Sequence, residues 1–275
     1  MSGTRSFIRI LQEVCSEEGI LREGFSGDWA QRFSKDGKQA FTVGYQFDLN
    51  SSAVRELCKD KALTSELLLA AGVPVSEHVF LELGVTGAEE RIRAHTALCA
   101  EYLEKYGKIV LKDNYGTGGN KVFLADSAEE AEKTLFALQA QTYAAALSPY
   151  YEIREEYRVV MLDGEPQLVI RKERESRMED GKKVYVNWKH NLGQGAVGIP
   201  VDDPDITAPL FTIAKQALSV IPARFASVDV IETADALLVL EINSGVMLEH
   251  FSSQDEECYR RGKAVYRAAL LKMLA

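Results

Sequence analysis

Two lysines and a glycine cluster offer the first recognisable chemistry. Lys112 ends the apolar run Ile109-Val110-Leu111, a place where an ammonium is costly to desolvate unless an anion meets it. It is followed at once by NYGTGGN, with Gly116, Gly118 and Gly119. Without Cβ atoms, such a tip lets backbone amides approach an anion closely. Lys61 stands near the start of the amphipathic run CKDKALTSELLLAAGVPV. Taken singly, the glycines make a plain hairpin turn and Lys61 a solvated surface lysine. Together they describe a phosphate site. The loop is not GxxxxGK[ST], and a strand follows it, which excludes both a P-loop and a dinucleotide-binding turn at a helix N-terminus.

A second cluster lies near the C-terminus. In SVDVIETADALLVLEIN, Asp229 sits on one strand, and Glu241 and Asn243 share one face of the next, being two residues apart. Two carboxylates and an amide oxygen are hard ligands that suit Mg²⁺, with phosphates and water completing an octahedron. The plainer alternative is a pair of solvent-facing acids on an edge hairpin.

The elements that must hold these residues follow from periodicity. Phe7, Ile10, Leu11 and Val14 form one face of a short amphipathic helix, followed by a polar stretch and an apolar segment at Ala40 to Tyr45. One helix is expected from Ser52 to Ala71, stopped by Gly72 and Pro74. VPVSEHVFLE reads as a strand and Glu89 to Tyr106 as a helix. KIVLK and KVFLA are strands around the glycine turn, and a Ser127/Glu130 capping box opens the next helix. EYRVVML and QLVIRKE form a hairpin through Asp163-Gly164. Pro209 to Val220 is expected to be helical, then two paired strands, then a terminal helix from Glu256 to Leu274. This is an α+β chain, not a doubly wound parallel sheet.

Composition bounds the rest. The 275 residues carry a net charge of −9, with no basic stripe to bind nucleic acid. No run is long and apolar enough to cross a bilayer, and the N-terminus lacks a signal-peptide core. The four scattered cysteines suit reduced thiols in a cytoplasmic protein, and the scattered histidines do not suggest zinc.

In order, DKALTSELLLAAGVPV, IVLKDNYGTGG, EEYRVVMLDG, NWKHNLGQGA, SVDVI and LEINSGV resemble the ATP-grasp superfamily, nearest its ribosomal-protein glutamate ligase-like and D-alanine–D-alanine ligase-like members. The resemblance runs from about Lys61 to Leu274 and implies two α+β subdomains gripping ATP. It implies a short N-terminal segment (1–60), a first subdomain with the glycine loop (61–148) and a second with the Mg²⁺ site (149–275). Lys61 and Lys112 take the position of the lysines on the α- and β-phosphates, and Gly116 to Gly119 that of the loop over them. Pro149, Tyr150 and Tyr151 resemble the hinge that reads adenine, and Glu156 the acid on the ribose. Asp229, Glu241 and Asn243 match ligands for Mg²⁺, or Mn²⁺ in its place. Arg171, Lys172 and Asn191 fall near the transferred phosphate. The implied activity joins a small-molecule carboxylate to an amine with release of ADP. Phosphotransfer without ligation, or nucleotide binding without turnover, are the alternatives.

Two features depart from the family. The N-terminal segment is short, and Ser244-Gly245-Val246-Met247 replaces the usual Pro-Gly after the metal-binding Asn. The apolar face of residues 7–14 needs a partner surface. It is expected to pack on the body of the chain or across a homodimer axis.

Overall fold

The computed structural model describes residues 5–84, 88–174, 176–179, 182–185 and 196–275. Phe7, Ile10, Leu11 and Val14 form the buried face of helix α1 (Ser6–Glu18), which ends where Gly19 turns left-handed at φ 65°. That face packs on this chain's own body, in one core with Phe33, Val160, Phe225 and Tyr266.

The polar stretch after α1 is an antiparallel sheet of four strands, β1 (Leu21–Phe25), β2 (Ala30–Lys35), β3 (Lys38–Val43) and β4 (Gln46–Phe47). The expected single apolar segment is therefore only its last part. Gln31 pairs with Thr42 and Phe33 with Ala40, so these four share the buried face.

The single helix expected from Ser52 to Ala71 is two, α2 (Ser52–Lys59) and α3 (Lys61–Ala70). Asp60 divides them. Its extended backbone ends α2, and its carboxylate accepts the Leu63 N–H at 2.9 Å to cap α3.

A second sheet follows, in the order β5-β8-β6-β7, from β5 (Val79–Glu82), β6 (Ile109–Asp113), β7 (Val122–Ala125) and β8 (Ala144–Pro149). VPVSEHVFLE contributes only its last four residues as β5. Helices α4 (Ala88–Tyr106) and α5 (Ala128–Gln139) cover this sheet through Ile92, Cys99, Leu135 and Leu138. Ser127 caps α5, accepting the Glu130 N–H at 3.3 Å, while Glu130 reaches back to the Asp126 N–H.

The third sheet has the order β13-β10-β9-β14-β15, with β9 (Glu155–Leu162), β10 (Glu165–Glu173), β13 (Val197–Pro200), β14 (Phe225–Glu232) and β15 (Leu237–Asn243). A small hairpin of β11 (Ser176–Glu179) and β12 (Lys182–Tyr185) follows β10. Helices α2, α3 and α6 (Pro204–Val220) pack on one face of the third sheet, against Val159, Val169, Val228 and Val239. The other face meets α1, the N-terminal sheet and α8 (Glu256–Met273). Helix α6 starts earlier than expected: Asp203 caps it, Pro204 opens it, and Pro209 lies inside. A short helix, α7 (Glu249–Ser252), precedes α8. All pairings within the named sheets are antiparallel, an α+β arrangement. No helix among the described residues is long and apolar enough to cross a membrane.

Candidate active site

Lys112 comes from the second sheet and Lys61 from the start of α3, which packs on the third, so the two lysines reach one cavity from different sheets. The cavity holds about 520 Å³. Asn114, fully buried after β6, ties these parts together. Its Oδ1 accepts the Ala62 N–H at 3.0 Å, and its Nδ2 donates to Asp60 Oδ1 at 2.8 Å.

The ammonium of Lys112 makes no hydrogen bond among the described residues, although the side chain is 7% exposed. Burial pushes its pKa down to about 8, Lys61 adds to the fall, and the Glu241 and Glu156 carboxylates oppose it. Lys61 Nζ donates to the carbonyls of Gly116 and, at 3.4 Å, Asn114. Gly116, Gly118 and Gly119 all line the cavity. Gly118 and Gly119 have φ of 71° and 68°, a conformation that side chains disfavour.

Pro149, Tyr150 and Tyr151 lie at the end of β8 along the cavity, with Val110, Ile153, Ile231 and Leu240 beside them as apolar lining. Glu156, Arg158, Lys172 and Asp229 also line it. They share the face of the third sheet that carries Val160, Ile170 and Phe225. These four form a buried chain of ion pairs. Arg158 grips Asp229 with two bonds of 2.8 Å, and Lys172 donates to Asp229 at 2.7 Å and to Glu156 at 2.6 Å. Burial opposes the charge on Asp229, but Arg158 and Lys172 overcome it and hold its carboxyl well below the usual range. Burial raises the Glu156 carboxyl, partly offset by Lys172.

Glu241 and Asn243 also face the cavity, with Asn243 Nδ2 donating to Glu241 Oε1 at 3.0 Å. Glu241 is the cross-strand partner of Asp229. The next pair is Val230 with Val239, so Leu240 is bulged out and lines the cavity beside Glu241. Glu241 and Asn243 offer oxygens to a hard cation. Asp229 has one lone pair of Oδ1 left after its three bonds, so the donor set fits Mg²⁺.

Arg171 does not line the cavity with the others. It falls on the β10 face of Val169, turned to the α6 core, and the next position in phase with Lys172 is Arg174, which does line it. Asn191 lies outside the described residues. Sequence reading missed Arg158 and Asn114, and also missed Trp29, Val43, Tyr45 and Gln46, which the N-terminal sheet brings to the cavity wall. The apolar segment Ala40 to Tyr45 was legible, but nothing in the pattern placed it at a cavity.

No curated protein matches the chain. Among solved structures it is similar to the ATP-grasp ligase PsnB in complex with a minimal precursor, at 15% identity and TM-score 0.56, over 82% of this chain and 63% of that one. It is similar to D-alanine–D-alanine ligase from Bacillus anthracis at 14% identity and TM-score 0.56, over 83% and 71%. A bifunctional glutathione synthetase from Pasteurella multocida gives 14% and 0.58, over 96% of this chain and 44% of its own. The chain thus spans less than two thirds of PsnB and less than half of the synthetase. At these identities the likeness shows the fold, which is ATP-grasp. The model of the RimK-like ATP-grasp domain matches residues 58–257, and the chain belongs to that family.

Proposed function

We propose that the chain is an ATP-dependent ligase that activates a carboxylate as an acyl phosphate and couples it to an amine, releasing ADP and phosphate. The observation that carries this reading is Lys112, a buried ammonium with no hydrogen bond among the described residues, at a cavity also lined by Gly116, Gly118 and Gly119. A triphosphate would supply the missing anion. Lys61 would exchange the Gly116 carbonyl for phosphate oxygen, and the adenine would lie against Tyr150, Tyr151 and Ile231.

Glu241 and Asn243, with Asp229, would hold Mg²⁺, which when bound neutralises phosphate charge. The substrate carboxylate attacks the γ-phosphorus, and the bond to the β-phosphate oxygen breaks with its electron pair leaving on ADP. The amine then attacks the acyl carbon, loses its proton and expels phosphate. The chain's part is to place these groups in line and spread their charge, with Lys172 and Arg158 as buried cations at the same cavity. Arg174 replaces Arg171 in this role.

The test is ADP release with ATP, Mg²⁺ and paired panels of carboxylates and amines. Phosphate release that needs both partners supports ligation. A phosphorylated acceptor formed without any amine would instead mark a phosphotransferase, and no ADP with any pair would leave only a binding module.

A further inference from the structure

One wall of the cavity comes from the N-terminal sheet. Trp29, Val43, Tyr45 and Gln46 line it, and none of them has a part in the nucleotide chemistry proposed above. The indole of Trp29 lies on Gly44, where an added Cβ would stand 2.8–3.2 Å from three ring atoms. The Gly44 N–H also donates to the Trp29 carbonyl at 2.7 Å, and Gly44 has φ 56°. Both the left-handed backbone and the flat contact require glycine there. The indole thus rests against the Gly44 backbone while the residue stays 52% exposed.

The wall is also fixed to the proposed metal strand. Gln46 bridges to Gly245, and its amide lies 3.2 Å from Ser244 Oγ, just after Asn243. Tyr45 is seated on Phe7, ring centroids 4.9 Å apart. Met247 and Phe251 add apolar lining, and Arg174 and His250 add basic groups. A large exposed aromatic ring backed by main chain at a cavity wall suits stacking, because its two χ angles leave little conformational entropy to be lost on contact.

We propose that Trp29 is the specificity-determining platform for a substrate with an aromatic side group, which stacks on the indole while its charged end points to the cations of the cavity. The assignment rests on the ligase reading and names the substrate class of that site.

The experiment separates the two readings. The chain has two tryptophans, Trp29 and Trp188, the second outside the described residues. In a Trp188→Phe background, the fluorescence of Trp29 is titrated with phenylalanine and 3-phenylpropionate, and with alanine and glutamate as controls, all in the presence of ADP and Mg²⁺. The aromatic probes are expected to quench it and the small ones to leave it unchanged. In the otherwise native chain, Trp29→Ala should weaken the aromatic probe about tenfold by calorimetry. Trp29→Phe should restore most of that loss, and ATP affinity and melting temperature should not move. Equal response to all probes, no response to any, or loss of ATP affinity in Trp29→Ala overturns the platform. Selective aromatic binding without ADP release would leave the platform standing and defeat the ligase reading alone.

Discussion

Asp229 and Glu241 are cross-strand partners on β14 and β15, yet their charges are met by different groups. Asp229 is almost wholly buried, with both oxygens held by Arg158 and Lys172. Glu241 turns to the cavity and, among the described residues, is bonded only by the neighbouring Asn243 amide. The first carboxylate is thus a part of the fold's internal charge balance as well as a candidate ligand. The second is available to whatever enters.

That difference separates two variants. Asp229→Asn leaves Arg158 and Lys172 facing a neutral amide, and breaking a buried pair in this way costs about 3–5 kcal/mol. Glu241→Gln should cost little stability, abolish turnover, and spare nucleotide binding measured without metal. Urea denaturation and ADP release, measured on both variants, check the pair. Equal destabilisation in the two, or native turnover in Glu241→Gln at limiting Mg²⁺, would contradict it.

Lys112 should report its anion by taking up a proton. Burial pushes its pKa down to about 8, and phosphate favours the charged form, so binding raises it. Between pH 8 and 9 the free side chain is partly neutral, and nucleotide binding then consumes protons and weakens as pH rises. In the free protein the sign for stability is opposite. A lysine held below its unfolded pKa destabilises the fold fully at low pH, and the penalty is relieved as pH climbs from about 8 to 10.5. Calorimetry in buffers of different ionisation enthalpy should show uptake in the wild type and none in Lys112→Met.

Lys61→Ala and Lys112→Ala should each weaken ATP binding by about 1.5–3 kcal/mol, the worth of a charge-assisted contact, which is roughly 10- to 100-fold. Unchanged affinity in both, at preserved melting temperature, would remove the phosphate assignment.

The parts of the fold legible in sequence are those whose apolar runs end at clear turn signals. β6 and β7 around the glycines, the β9–β10 hairpin and the β14–β15 pair all have apolar runs bounded by turn residues. β8 was invisible because its buried core is Ala144-Ala145-Ala146, a residue that favours helix and carries no strand signal, although the strand is central. The N-terminal sheet hid behind polarity: its inner face mixes Gln31 and Thr42 with Phe33 and Ala40. Asp60 breaks its helix with neither Gly nor Pro nearby. In the site, the spacing of Glu241 and Asn243 set a shared face correctly. The inward turn of Leu240 depends on a bulge that no periodicity announces. Arg171 and Lys172 are adjacent in sequence, so only the phase of β10 could tell which faces the cavity.

Phe7→Ala should destabilise the whole molecule by about 3–5 kcal/mol, because the ring is buried against Tyr45 and Tyr266 and joins the N-terminal segment to the third sheet. Deletion of residues 1–45 should expose the face of Phe225, Val160 and Tyr266, lower the melting temperature and promote aggregation. A truncated chain as soluble and stable as the full one would show that the segment is an appendage.

The ties at Asn114 bear on how the cavity admits its contents. The Asn114 side chain joins β6 to α3, and the Pro74–Ser76 backbone joins β15 through Ser76 N–H to the Val239 carbonyl at 2.8 Å and Val239 N–H to Pro74 at 3.0 Å. Together with the chain crossing at 150–154, these ties join the second and third sheets. They keep the root of α3 beside β6, and the Gly116 carbonyl is held there too by Lys61. Amide exchange should therefore be slow at Ala62 and Val239, the bolts that keep the two sheets in register whatever the cavity holds.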